Sequence, residues 1–282
     1  MDYEFSDKKL IIECGKCHKN LRIPDIQKTL KVTCPLCKHE FVIDHGKIQS
    51  SYRNLGQHER AIQNFNEAPH LKSDDAVAYN NWGIAYRNLG QYQRAIEDHD
   101  EAIRLKPDYA AAYLNRGIDY YILGQHTRAI EDYDEAIRLK PDYAVAYYSR
   151  GDAYVKLSQY PRAIEDYDEA IRLKSDYASA YFNRGIAYRS LGQHERTIQD
   201  FSEAIRLKSD DAPAYFNRGY SYVKLGRYQR AIEDYDEAIR LKADYASAYY
   251  ERAIAYLSLG QYERAIQDFN EAKRLEPDLA NA

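Results

Sequence analysis

Residues 110–143 read AAAYLNRGIDYYILGQHTRAIEDYDEAIRLKPDY, and this 34-residue unit occurs six times without a gap, starting at Ala76, Ala110, Ala144, Ala178, Ala212 and Ala246. Within it, apolar or small residues recur at helical spacing in two stretches separated by Leu123-Gly124-Gln125, which is the pattern of two amphipathic helices and a turn. A fixed period of this length marks an array of helix pairs: no single pair can bury its own apolar face, and each is completed by its neighbours.

Departures from and adherence to the period assign a job to each position. Gly83, Gly117, Gly151, Gly185 and Gly219 mark where the first helix is crossed closely by its partner, with Ala253 the only substitute. A second series, Gly90, Gly124, Gly192, Gly226 and Gly260, falls where the first helix must end, because glycine takes positive φ at little cost. Ser158 breaks that series and is expected to weaken its turn. Ala95, Ala129, Ala163, Ala231 and Ala265 let the second helix lie close to the first, with Thr197 the exception, while Tyr133, Tyr167, Phe201, Tyr235 and Phe269 are expected to fill space between repeats. Pro107, Pro141 and Pro277 close three of the units where a helix should stop.

An aromatic at the fourth position, small residues at the eighth and twentieth, an aromatic at the eleventh, alanine at the twenty-seventh and proline at the thirty-second together resemble the tetratricopeptide repeat (TPR) family. The resemblance implies an all-α fold, a right-handed superhelix of helix pairs whose concave groove is formed mainly by the first helices. The expected organisation is full repeats at 76–109, 110–143, 144–177, 178–211, 212–245 and 246–279, a degenerate copy over 44–75, and a short tail at 280–282.

The chain carries 29 Tyr but one Met and one Trp, a bias that follows from multiplying tyrosine by the repeat. Net charge is −4, which gives no long-range attraction for nucleic acid. The charged start MDYEFSDKK and the lack of an apolar run of roughly 18 residues predict neither a secretory signal nor a membrane span. A cytoplasmic location is expected, with the cysteines reduced.

All four cysteines precede residue 40, as Cys14-x2-Cys17 and Cys34-x2-Cys37 separated by 16 residues. Two such knuckles suit one tetrahedral four-thiolate zinc site. Short β-prone runs flank them at Ile11-Ile12, Leu21 to Ile23, Leu30 to Thr33 and Phe41 to Ile43. A module of this size has little core, so one structural Zn2+ would supply most of its folding free energy, on the order of 10 kcal/mol. Cys14 to His18 also spells the haem-attachment signal CxxCH, but that chemistry requires export and leaves the second pair unexplained. A dithiol redox site accounts less well for two matched pairs than one metal does. With Pro24-Asp25 between the knuckles, Cys34-Pro35-Leu36-Cys37 and Phe41, residues 1–43 resemble short bacterial zinc ribbons, implying a small β-rich domain ahead of the repeats and a bacterial source. Residues 1–45 hold eight Lys or Arg and seven Asp or Glu, a weak phosphate footprint.

The TPR resemblance directs the second, fifth, sixth, ninth, twelfth and thirteenth positions of the first helix into the groove. Asn81, Asn115, Asn183 and Asn217 stand at the sixth, interrupted by Ser149 and ended by Glu251. A carboxamide offers a donor and an acceptor, matching one peptide unit of an extended chain, at roughly 1 kcal/mol each. The ladder is similar to the groove asparagines of O-linked N-acetylglucosamine transferases, which hold peptide backbone; asparagine as a merely tolerated polar residue is the competing reading. Leu114, Tyr148, Phe182, Phe216 and Tyr250 at the fifth position add apolar surface for a ligand or for packing against the next repeat, and Lys156, Arg189 and Lys224 add positive charge. A chaperone-tail carboxylate clamp is not expected, since the ninth position carries mainly isoleucine, with Asp152 an isolated exception.

Arg116, Arg150, Arg184, Arg218 and Arg252 form a basic series at the seventh position, opposite Asp132, Asp166, Asp200, Asp234 and Asp268 on the paired helix. Internal salt bridges are expected rather than a nucleic-acid stripe, because an unpaired buried arginine is costly. No nucleophile with a base, phosphate loop or open metal site is evident, so the expected function is a non-enzymatic protein-interaction scaffold or adaptor that binds an extended peptide in the groove. The alternatives are a nucleic-acid-associated adaptor that uses the cysteine module for contact, or a self-assembling scaffold.

Overall fold

The computed structural model describes residues 75–276 throughout and, nearer the amino terminus, four short strands. These are β1 (Lys9–Glu13), β2 (Asn20–Pro24), β3 (Leu30–Thr33) and β4 (Glu40–Ile43). β1 pairs antiparallel with β2, Lys9 opposite Pro24 and Glu13 opposite Asn20; β3 pairs antiparallel with β4, Leu30 opposite Ile43 and Thr33 opposite Glu40. Each CxxC pair falls in a segment that joins two paired strands, 14–19 or 34–39. Those segments, and with them Cys14, Cys17, Cys34 and Cys37, lie outside the described residues. So do the degenerate copy as far as residue 74 and the tail.

The chain forms two compact units, 1–107 and 108–282. The first contains, besides the strands, the helix pair α1 (Ala76–Asn88) and α2 (Tyr92–Leu105). The second contains five more pairs: α3 (Ala110–Ile122) with α4 (His126–Leu139), α5 (Ala144–Lys156) with α6 (Tyr160–Leu173), α7 (Ala178–Ser190) with α8 (His194–Leu207), α9 (Ala212–Lys224) with α10 (Tyr228–Leu241), and α11 (Ala246–Ser258) with α12 (Tyr262–Leu275). Among the described residues, no helix is long and apolar enough to cross a membrane.

The turn between the helices of a pair is set by backbone conformation. Gly90, Gly124, Gly192, Gly226 and Gly260 all have φ near +70°, from 69 to 75°. Ser158 is forced into the same turn at φ 58°, a region that a side chain disfavours by roughly 1–2 kcal/mol. The substitution leaves the turn in place and puts strain into it.

Within a pair the helices meet through small residues. Ala129, Ala163, Ala231 and Ala265 are fully buried, as is Thr197, which donates its hydroxyl back to Gln193 O at 3.1 Å. The glycines of the first helices are open because an aromatic lies over them: a Cβ on Gly117 would fall 2.6 Å from Tyr133 Cε1, and one on Gly151 2.8 Å from Tyr167 Cε1. Tyr133, Tyr167 and Tyr235 therefore wedge inside their own helix pair, and filling space between repeats describes only part of their role.

The arginine series is internal. Arg116 grips Asp132 with Nε and Nη2 at 2.9 and 2.6 Å, and Arg150–Asp166, Arg218–Asp234 and Arg252–Asp268 repeat that two-pronged geometry. A third arm reaches the preceding repeat, from Arg150 to Asp134, Arg252 to Asp236 at 2.5 Å and Arg218 to Ser202 at 3.0 Å. Arg150, Arg218 and Arg252 thus each tie two repeats together.

In the second unit every second helix packs on the first helix of the next repeat, and successive first helices approach one another, α3 to α5, α5 to α7, α7 to α9 and α9 to α11. A stack whose first helices converge curves toward them. Its inner face is therefore the row of α3, α5, α7, α9 and α11.

Candidate functional site

In the second unit the sixth-position residues of the first helices sit on this row, and the four asparagines of the ladder are not equivalent. Asn81 is exposed and Asn115 is half-buried. Asn183, on α7, donates through Nδ2 to Asp152 Oδ1 at 2.7 Å and to the Tyr148 hydroxyl at 2.9 Å, both on α5 of the preceding repeat. Asn217, on α9, is buried; its Nδ2 donates to Pro213 O at 2.8 Å and its Oδ1 accepts from Arg189 Nη1, on α7. Two of the four amides thus hold a charged side chain of the repeat before them.

The fifth-position aromatics are half-buried and packed against other rings. Tyr148 lies 5.9 Å from Tyr167 of its own repeat and 4.9 Å, nearly stacked at 33°, from Tyr177. Phe216 repeats the arrangement with Tyr235 at 5.9 Å and Tyr245 at 5.1 Å, 34°. Phe182 meets Phe201 at 5.3 Å and Tyr250 meets Phe269 at 5.4 Å, both edge-on. Each of these rings therefore packs within the array and keeps part of its surface exposed. Leu114, by contrast, is buried.

Two clusters of opposite charge emerge. In the first, Asp152 accepts from the Tyr167 hydroxyl at 2.6 Å as well as from Asn183. Burial pushes its carboxyl above the usual range against the pull of those donors. Burial and the neighbouring Asp152 charge push the Tyr148 and Tyr167 hydroxyls up, so both remain protonated donors. Lys156, one turn along α5, is exposed.

In the second cluster Tyr220 is central. Arg189 lies 5.7 Å and Lys224 4.9 Å from its ring centre, and Asn217 fixes the guanidinium of Arg189 from below. Glu251 neighbours Lys224; burial pushes its carboxyl up while the Lys224 charge pulls it down.

Sequence reasoning placed Arg189, Lys224 and the asparagines on this row but gave Asp152 no role and passed over Tyr220, Tyr177 and Tyr245. The signal was present: Asp152 and Tyr220 are the two residues that replace isoleucine at the ninth position, where Ile84, Ile118, Ile186 and Ile254 stand elsewhere. The cysteine metal site falls outside the described residues.

Three family descriptions match: "TPR repeat" over 119–158, 151–189 and 186–226, and "Tetratricopeptide repeat" over 76–109 and over 216–280. No curated protein matches the chain. Among solved structures, MamA is 26% identical, covering 61% of this chain and 94% of its own, with a TM-score of 0.57. YrrB, described as a TPR protein with an unusual peptide-binding site, is 23% identical over 65% of this chain and 94% of its own, with a TM-score of 0.60. Pseudomonas aeruginosa pilF is 18% identical over 72% and 92%, with a TM-score of 0.63. The last two likenesses speak to the fold. With helix pairs and turn glycines over 76–275 and family matches over 76–109 and 119–280, the chain belongs to the tetratricopeptide repeat family.

Proposed function

We propose that the protein is a non-enzymatic interaction scaffold whose inner row of first helices receives an extended segment of another protein, with a zinc-bound module at its amino terminus. The observation that carries the reading is the contrast between two sets of polar residues. The seventh-position arginines are consumed by internal ion pairs. The polar side chains on the inner row, Asn217 apart, remain partly accessible among half-buried tyrosines and phenylalanines, the mixture that favours peptide contact. Similarity to YrrB, a TPR protein with a peptide-binding site, supports the same use of the fold.

In the second unit the groove is read as Asn115, Asn183 and Asn217 with Tyr148, Phe182, Phe216, Tyr250, Lys156, Arg189 and Lys224; Asn81 stands at the same repeat position on α1 of the first unit. Asn183 and Asn217 act through the side chains they hold. At the amino terminus, four cysteines in two CxxC pairs, each in the segment joining two paired strands, suit one Zn2+. A reducing compartment such as the cytoplasm keeps them available to the metal.

The experiment is selection of a random dodecapeptide library displayed on phage against the full chain, with the Asn115→Ala/Tyr148→Ala/Phe216→Ala variant as counter-target. Enrichment on the natural chain that falls on the folded variant supports the groove. Equal enrichment on both places the ligand elsewhere and overturns it.

A further inference from the structure

We infer that the inner row carries two oppositely charged subsites in adjacent repeats, so that its ligand is a peptide segment presenting a Lys or Arg side chain to Asp152 and an Asp or Glu side chain to Arg189. The inference rests on the peptide-groove reading and specifies what that groove selects.

Neither charge is required by the repeat. The ninth position is isoleucine or tyrosine in every other full copy, and the twelfth position, where Arg189 stands, is Tyr121, Val155, Val223 or Leu257 in four of the others. A buried carboxylate without a cation destabilises the fold, so Asp152 is present at a cost the array does not impose. The groups that donate to Asp152 are neutral: Tyr167 and Asn183, which converge on Oδ1, and the Tyr148 hydroxyl beside them. They orient the carboxylate without neutralising it. No ion pair to Asp152 forms among the described residues; the charge of Lys156 pulls its carboxyl down less than the hydrogen bonds from Tyr167, Asn183 and Tyr148 do.

The site around Asp152 is shaped for a cation. The rings of Tyr148, Tyr167 and Tyr177 cluster beside it, 4.9 to 5.9 Å apart. An ammonium or guanidinium entering there would gain the carboxylate and the ring faces together. The Tyr148 hydroxyl, held by Asn183, completes the polar wall.

The site around Arg189 has the opposite sign. Its described hydrogen bond goes to a neutral amide, Asn217 Oδ1, in contrast to the seventh-position arginines, each of which holds a carboxylate. A guanidinium has five N–H donors, so one neutral acceptor leaves most of its capacity for a carboxylate. The Tyr220 ring lies within cation–π reach of both Arg189 and Lys224. Glu251 takes part of the Lys224 charge, which leaves Arg189 as the principal anion contact.

Both subsites share one construction. The sixth-position asparagine of one repeat holds the charged group of the repeat before it: Asn183 holds Asp152, and Asn217 holds Arg189. The two charges stand one repeat apart on one row, and a rigid pair of this kind fixes both the order and the separation of the charges it accepts.

The test uses the dodecapeptide phage library on the full chain, read by sequencing. The expected result on the natural chain is enrichment of peptides that carry one basic and one acidic residue in constant order at constant separation. Asp152→Asn, which keeps the hydrogen-bond acceptor, should lose the basic preference and keep the acidic one; Arg189→Gln should do the reverse. A synthetic peptide of the enriched sequence should bind either variant about tenfold more weakly. The Asp152→Lys/Arg189→Glu variant should select the reversed order, an outcome that structural damage does not produce. Enriched peptides without the charge pair, or a pair unaffected by both variants, would overturn the two subsites while leaving the groove in place. No enrichment on the natural chain would overturn the subsites and the groove together.

Discussion

Arg184 holds Asp200 across its own helix pair with Nε to Oδ2 at 2.8 Å and Nη2 to Oδ1 at 2.6 Å, and its third arm reaches Asp168 of the preceding repeat at 2.5 Å. The side chains of Arg184 and Asp200 are 17% and 6% exposed. Removing one partner leaves the other charge buried, which costs about 3–5 kcal/mol. Arg184→Ala should therefore lower the urea midpoint sharply. Arg184→Met with Asp200→Leu should recover much of that loss, because a buried pair replaced by apolar residues strands no charge. Equal destabilisation by the single and the double variant would show that the contact is packing rather than charge.

Ser158 occupies a turn that five glycines fill elsewhere, at φ 58° against their 69–75°. Gly192 shows how much room there is: a Cβ placed on it meets nothing within 4 Å, so the strain at Ser158 is conformational and not steric crowding by neighbours. Ser158→Gly should stabilise the protein by about 1 kcal/mol, and Gly192→Ser should destabilise it by a similar amount. Thermal melting of the two variants checks the pair. A Ser158→Gly variant no more stable than the natural chain would mean that the added chain entropy of glycine cancels the relief.

Turns, close contacts and internal ion pairs were legible because they repeat. A residue that recurs every 34 positions is under the same local demand six times, so Gly124 or Arg184 reads as architecture before any coordinate is known. The aromatic at the twenty-fourth position was read less completely. Sequence spacing places Tyr167 opposite the next repeat as readily as opposite Gly151, and only the crossing of the helices decides that its ring lies over the glycine.

The site was legible in a different way. Asn183 and Asn217 announced themselves as a ladder, yet their engagement with Asp152 and Arg189 depends on how one repeat is set against the next. That offset is not written in the period. Asp152 and Tyr220 carried the better signal by departing from the ninth-position isoleucine. A costly residue where the fold accepts a cheap one is the mark to look for in a repeat array.

The cysteine module gives a prediction independent of the groove. If Cys14, Cys17, Cys34 and Cys37 hold one structural Zn2+, reduced protein should contain about one zinc per chain, and Cys34→Ser should lose it. Binding free energy of this kind is folding free energy, on the order of 10 kcal/mol. Chelation should therefore abolish the folding of residues 1–43, seen as protease cleavage there, while the helical signal of the repeats persists. Metal-free protein that resists cleavage equally would overturn the zinc assignment.

Asp98 stands where Asp132, Asp166, Asp200, Asp234 and Asp268 stand in the later repeats, but the seventh position of its repeat is Trp82 in place of arginine. Its Oδ2 is buried and has no hydrogen-bond partner among the described residues. Burial first, and then the charge of Glu97, push its carboxyl from 3.8 up to about 7. Between those values the folded protein keeps a proton that the unfolded chain has released, so stability falls as pH rises from about 4 to about 7 and is level above that. The natural chain should accordingly show a lower urea midpoint at pH 8 than at pH 5. Asp98→Asn should shrink the difference by removing the ionisation, whereas Trp82→Arg should shrink it by supplying the cation that the later repeats use. A pH dependence unchanged in Asp98→Asn would assign the effect to another carboxylate.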